Sequence, residues 1–226
     1  MAIQIQGNGG TVAEVDGTNF RAQRVTIRPT DYGTAGHFSY GGLSGIIPAA
    51  ASANAELFQF RWNEATRICL INEVLISASV TTTFFAAGVP MQLDMVKATT
   101  WSAAGSGGTR PTITSLMKKR SSMASSLVNA SDIGIITTVG TGLVAGTKAL
   151  EATSLSTVIA GCPITASLNG SIIAPGTPIW HVDTANGQHP LALVNQEGFV
   201  IRAVAVPGTG TWMLSVTVDW TEVDAY

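Results

Sequence analysis

The sequence has little charge. Asp, Glu, Lys and Arg make up 12% of its 226 residues, about half the share in an ordinary soluble domain. The balance is a net −2. The densest basic cluster is Lys118-Lys119-Arg120, three charges in a polar stretch. Nucleic-acid recognition needs a concentrated basic face, so no direct nucleic-acid partner is expected and this triplet reads as a solvated bend. Cysteine is nearly absent too. Cys69 and Cys162 stand alone, which excludes a disulfide framework and a metal knuckle but leaves one bridge between them open. No apolar run approaches the length that spans a bilayer, so no membrane partner is expected. The first ten residues carry neither a positive nor an apolar region of the secretory kind. The expectation is a chain kept in the cytosol, or one that leaves it inside a larger particle. Helical periodicity is scarce: only 115–127 places Leu116, Met123 and Leu127 at helical spacing, and its serines argue for loop or a single turn.

What remains is apolar but not aromatic. Hydrophobic residues reach 46% and aromatics only 7%, so Ala, Val and Ile carry the weight. That is ample surface to bury, and it excludes a disordered chain. A low-charge outside rich in Thr, Ser and Ala suits a protein partly covered by neighbours in an assembly, although a neutral secreted β protein would share it.

The stretch from Glu197 to the C-terminus is the most ordered in pattern. Trp212, Leu214, Val216, Val218 and Trp220 alternate with polar or smaller neighbours, the period of a strand with two unlike faces. Phe199 to Val206 is a second strand, apolar on both faces, and Pro207 to Gly210 between them has turn chemistry. This pair reads as an antiparallel hairpin. Further strands are expected at 57–62, 66–80, 91–98, 133–139, 148–159, 171–174, 178–182 and 190–194. About eight to ten short strands with turns between them predict an all-β fold, an antiparallel β-sandwich of jelly-roll type or a barrel. Spatial neighbours should be distant in sequence, as Greek-key connections require.

Residues 1–55 lack such a pattern. They contain Gly-Asn-Gly-Gly at 7–10, a short strand candidate at Arg24–Arg28 stopped by Pro29, and Gly41-Gly42-Leu43-Ser44-Gly45-Ile46-Ile47-Pro48. They read as an extended N-terminal arm on a sandwich of residues 56–226. Such an arm buries little of its own and would lie on a neighbour.

Chemical motifs are few. His181-Val182-Asp183 with His189 could converge on a metal, but loop histidines beside a strand end look the same in sequence. Ser115-Leu116-Met117-Lys118 matches the Ser-x-x-Lys of acyl-enzymes without their helix or partner motifs. Gly208-Thr209-Gly210 is a turn and not a nucleotide loop, since no helix follows. Asp219 and Glu222 fall on the outer face and end of the last strand. Alternation puts Trp62, Trp212 and Trp220 in the core. It leaves Trp101 and Trp180 as exposed aromatics on which a carbohydrate-binding module could stack sugars. No catalytic, metal-binding or cofactor-binding residue is assigned, and no enzyme is expected.

One set of motifs carries a resemblance. It comprises Phe60-Arg61-Trp62 with Ala65-Thr66-Arg67, the Gly-Ser-Gly-Gly-Thr loop at 105–109, His189-Pro190-Leu191, and Glu197 to Arg202. It closes on Gly210-Thr211-Trp212 and Val216 to Glu222. Over 57–226 the chain resembles virion structural proteins of tailed bacteriophages. The resemblance implies a non-enzymatic β-sandwich component of a phage particle, located in the virion, with the major capsid protein or other virion proteins as partners. A head decoration (cement) protein comes first; a jelly-roll capsid protein or a tail component follows. A homo-oligomer is expected, because symmetry multiplies weak contacts. The intersubunit contacts would come from the arm, through Phe20, Tyr32, Phe38, Tyr40, Ile46 and Ile47.

Overall fold

The computed structural model describes residues 36–48, 51–83, 85, 90–111, 117–137, 142–161, 170–183, 187–206 and 208–224, and two short strands before them. The chain divides into two units, Met1–Thr30 and Asp31–Tyr226. In the first, β1 (Ile5–Gln6) pairs antiparallel with β2 (Val12–Ala13). Phe20, Tyr32 and the Arg24–Arg28 segment lie outside the described residues.

The second unit contains β3 (His37–Leu43), β4 (Ile47–Pro48), β5 (Ala55–Trp62), β6 (Ile68–Val80), β7 (Met91–Ala103) and β8 (Ile133–Ile135). There follow β9 (Thr147–Leu150), β10 (Ser156–Ala160), β11 (Ser171–His181), β12 (Leu191–Leu193), β13 (Glu197–Ala205) and β14 (Thr211–Val223). They form two antiparallel sheets. One runs β3-β14-β6-β11, the other β10-β7-β13-β5-β8. Take the eight strands β3, β5, β6, β7, β10, β11, β13 and β14 in chain order. The sheets then read 1-8-3-6 and 2-7-4-5, the order of a jelly roll, in which two Greek keys wrap a double sheet. Sandwich, strand alternation and non-local pairing are thus as the sequence indicated. Residues 117–127 contain no α-helix.

Two expectations fail in an instructive way. The strands β13 and β14 are not a hairpin. β13 pairs with β5 and β7 while β14 pairs with β3, β4 and β6. The chain thus passes from one sheet to the other between the end of β13 and the start of β14. Each strand therefore has a neighbour on both sides, which is why both are so long and so apolar. The boundary at residue 55 also moves. β3 pairs with β14 from Leu43↔Ser215 to His37↔Thr221, and β4 adds Ile47↔Trp212. Residues 37–48 are an edge of the sandwich, not an arm. Glycines at 41 and 42 hid the strand, since they blur its alternation.

Between the sheets lies one apolar core. Val74 and Ile76 of β6, with Leu214, Val216 and Val218 of β14, face Leu57 of β5, Leu93 and Met95 of β7, and Ile201 of β13. Its middle is aromatic. Phe60 stacks on Phe199 at 5.4 Å and 10°, and meets Trp220 of the other sheet edge-on at 5.4 Å. Phe38 also stacks on Trp220, at 5.7 Å. Fully buried side chains of this size contribute about 1.5–3 kcal/mol each, and edge and offset ring contacts add to that.

Candidate functional site

The residues expected to touch partners are mostly inside. Phe38 and Ile47 are fully buried and Tyr40 nearly so; they belong to the core between the sheets and cannot serve as intersubunit contacts. The reason is the pairing of β3 and β4 with β14, which turns these side chains inward. Ile46 is different. It is 43% exposed, and its neighbour Leu43 is 61% exposed.

Trp101 is likewise buried, at 1%, and is no stacking platform. It packs with Val96, Ala98 and Val200 in a second small apolar cluster on the outer side of the β5-β7-β13 sheet. Simple alternation would put residues 96 and 98 on one face and 101 on the other. Thr100, at φ 50°, adopts a left-handed conformation rare for a β-branched residue and shifts the parity by one. Gly198 completes the fit, because a Cβ there would strike the Phe60 carbonyl and the Trp101 ring.

Trp180 keeps part of its expected place. It is half-buried and donates its indole N–H to the Ile71 carbonyl at 3.3 Å. It borders an open cleft of about 580 Å3 between β10 and β11, with Leu155, Ser156, His181, Gln188 and His189. His181 Nδ1 lies 2.9 Å from Glu73 Oε1. The two histidines thus share a cleft, but Asp183 does not line it. Among the described residues no three His, Cys, Asp or Glu groups converge as metal ligands would.

The densest polar site was not legible as one. The outer face of β5 carries Glu56, Gln59 and Arg61, all buried. Loops at 101–110, 128–132 and 142–148 cover them. Arg61 Nε and Nη2 both donate to Asp132 Oδ1 at 2.6 Å, while Asp132 Oδ2 accepts the Asn129 N–H. Gln59 Nε2 donates to Glu56 Oε2 at 2.7 Å and to the Val144 carbonyl at 3.0 Å. Lys148 Nζ donates to the same Glu56 Oε2 at 2.8 Å and sits 4.3 Å from the centre of the Trp101 ring. Arg110 Nη2 reaches Gln59 Oε1 at 3.4 Å. Burial holds the Lys148 ammonium below its ordinary pKa, against the pull of Glu56. The sequence signal was the polar half of the β5 alternation, which looks the same whether water or a loop covers it.

Two more carboxylates sit apart. Burial works against ionisation of Asp94, yet hydrogen bonds from Ser154, Gln92 and Thr157 outweigh it and hold its pKa below the usual value. Glu222, expected on an outer face, is fully buried. Its Oε1 accepts from Ser126 at 2.6 Å, the Leu127 N–H at 3.1 Å and Trp220 at 3.2 Å. Burial nevertheless pushes its pKa up. Cys69 opposite it is a free, buried thiol raised by the same burial and then by Glu222; Cys162 lies outside the described residues.

Comparison of the chain with protein-family models, with curated proteins and with solved structures gives no match.

Proposed function

We propose that this protein is a non-enzymatic structural component of a tailed-phage virion, a head decoration protein that binds the capsid shell and stabilises it. Of the motifs behind the resemblance, Phe60-Arg61-Trp62, Glu197 to Arg202 and Val216 to Glu222 fall on β5, β13 and β14, inside the two sheets. The observation that carries the reading is a jelly-roll body with an apolar core between its sheets, while large apolar side chains stand outside. Leu43 at the end of β3 and Ile46 just before β4 are both exposed, and Val144, Ile159 and Val194 are exposed elsewhere. A cement protein works by mass action: it binds the assembled lattice and not the free subunit, so the lattice gains its binding free energy. Leu43 and Ile46 replace Phe38, Tyr40 and Ile47 as the contact residues.

The test is sedimentation of purified protein with phage heads assembled without it. The protein should travel with the heads. A Leu43→Asp/Ile46→Asp variant with an unchanged unfolding curve should bind about tenfold or more weakly, as loss of roughly 1.4 kcal/mol requires. Wild-type protein that stays in the supernatant would sink the decoration reading.

A second reading rests on the strand order itself, because jelly-roll subunits also build viral shells. In that case the protein alone would grow into large closed particles in a light-scattering concentration series.

A further inference from the structure

We infer that Lys148 and Gln59 are partners in a self-formed covalent cross-link, an amide between the lysine side chain and the glutamine side chain, with Glu56 as the proton carrier. The observation behind it is that Lys148 and Gln59 share one acceptor, which is more than an ion pair. One carboxylate oxygen, Glu56 Oε2, accepts from both Lys148 Nζ, at 2.8 Å, and Gln59 Nε2, at 2.7 Å. The nucleophile and the leaving nitrogen therefore cannot be further apart than the sum of those two lengths. Arg110 Nη2 donates to the carbonyl oxygen of the electrophile, Gln59 Oε1, at 3.4 Å. Water is excluded: Gln59 is fully buried, and the Lys148 side chain is 2% exposed. Gly105 packs so closely on the Gln59 amide that a Cβ there would strike Oε1 and Nε2.

Each group has a role that its surroundings support. A lysine attacks only as the free amine, and desolvation beside a second cation favours that form. Lys148 is desolvated, and Arg110 adds to the effect. Glu56 takes the proton as Nζ bonds to the Gln59 side-chain carbonyl carbon, then returns it to the departing nitrogen. Arg110 stabilises the oxyanion of the tetrahedral intermediate. The balance is one primary amine plus one primary carboxamide giving one secondary amide and one ammonia. No oxidant, metal or cofactor enters. Held neighbours substitute for an activating enzyme, as the effective concentrations of oriented groups allow. The link would tie β9 covalently to β5 across the outer face of the sheet.

The experiment is the intact mass of the natively purified full chain, followed by tandem mass spectrometry of its tryptic peptides. The expected result is a mass lower by about 17 Da, because the Gln59 side-chain nitrogen leaves as one ammonia when the lysine amine takes its place. Trypsin should no longer cut after Lys148, and a branched peptide should join the Gln59 and Lys148 segments. Lys148→Arg and Glu56→Gln should each restore the full mass. A wild-type chain at full mass after prolonged incubation at neutral pH overturns the inference. So does an ammonia loss that maps to any other residues. A link that forms undiminished in Glu56→Gln overturns the role of Glu56. The wild-type measurement decides the main point even if a variant does not fold.

Discussion

Strand β5 has two buried faces, and they differ in kind. Phe60 and Trp62 point between the sheets into an aromatic core. Glu56, Gln59 and Arg61 point away from it, into a layer of charges closed by loops. The apolar face is held by area, which is non-directional and tolerant. The charged face is held by geometry, where each donor needs its acceptor and removal of one partner strands the other. The same strand therefore shows that a polar half of an alternating pattern marks a face without a core, not a face in water.

Several substitutions would break or sharpen this contrast. The largest effect is expected from cutting the chain at residue 50. Loss of β3 and β4 removes Phe38, Tyr40 and Ile47 from the core, and such a fragment should fail to unfold cooperatively in urea. Removal of Met1–Thr30, a separate unit, should leave the urea transition of the sandwich in place. Next, Phe60→Ala should cost about 3–5 kcal/mol by equilibrium denaturation, the range for a large aromatic lost from a close-packed core.

Asp132→Ala should cost about 3 kcal/mol or slightly more, because Arg61 would stay buried with its charge uncompensated. The double replacement Arg61→Met/Asp132→Leu should recover most of that loss; if it does not, the charged face contributes more than mutual compensation. Glu222 offers a pH test. Its folded pKa is raised, so the stability it confers as the neutral acid is complete below the ordinary glutamate range and is lost as pH rises through the raised value. The wild type should lose urea resistance across that window, and Glu222→Gln, which cannot ionise, should not. The smallest effect belongs to the exposed pair Arg67–Asp224, 2.9 Å apart. Its removal by Asp224→Asn should change stability by under about 1 kcal/mol, and less in high salt.

Much of the sandwich was legible because burial between sheets leaves a period of two. Trp212 to Trp220 declares β14 in one line of sequence, and Trp62, Trp212 and Trp220 are in the core as alternation requires. β3 was not legible, since Gly41 and Gly42 interrupt its pattern and its partner is far along the chain. The polar site was not legible either. Lys148 and Glu56 meet because β9 pairs with the end of β7 and brings Lys148 to the outer face of β5, and no spacing rule connects residues so far apart. Trp101 misled because β7 runs past residue 98, where the sequence pattern ends, to Ala103, and within that extension one left-handed residue, Thr100, shifts the parity.

The pairing of β3 with β14 also sets a clock. Residues 37–43 meet 215–221, so the chain must close a loop of most of its own length before that edge of the sheet can exist. Chains dominated by such distant contacts search slowly, in about milliseconds to seconds even when small. During that search β6 presents an open edge where β14 will dock. Unpaired edges of this kind recruit other chains as readily as their own. The sparse surface charge that suits a crowded neighbourhood gives little repulsion to prevent it. Refolding yield should therefore fall as protein concentration rises.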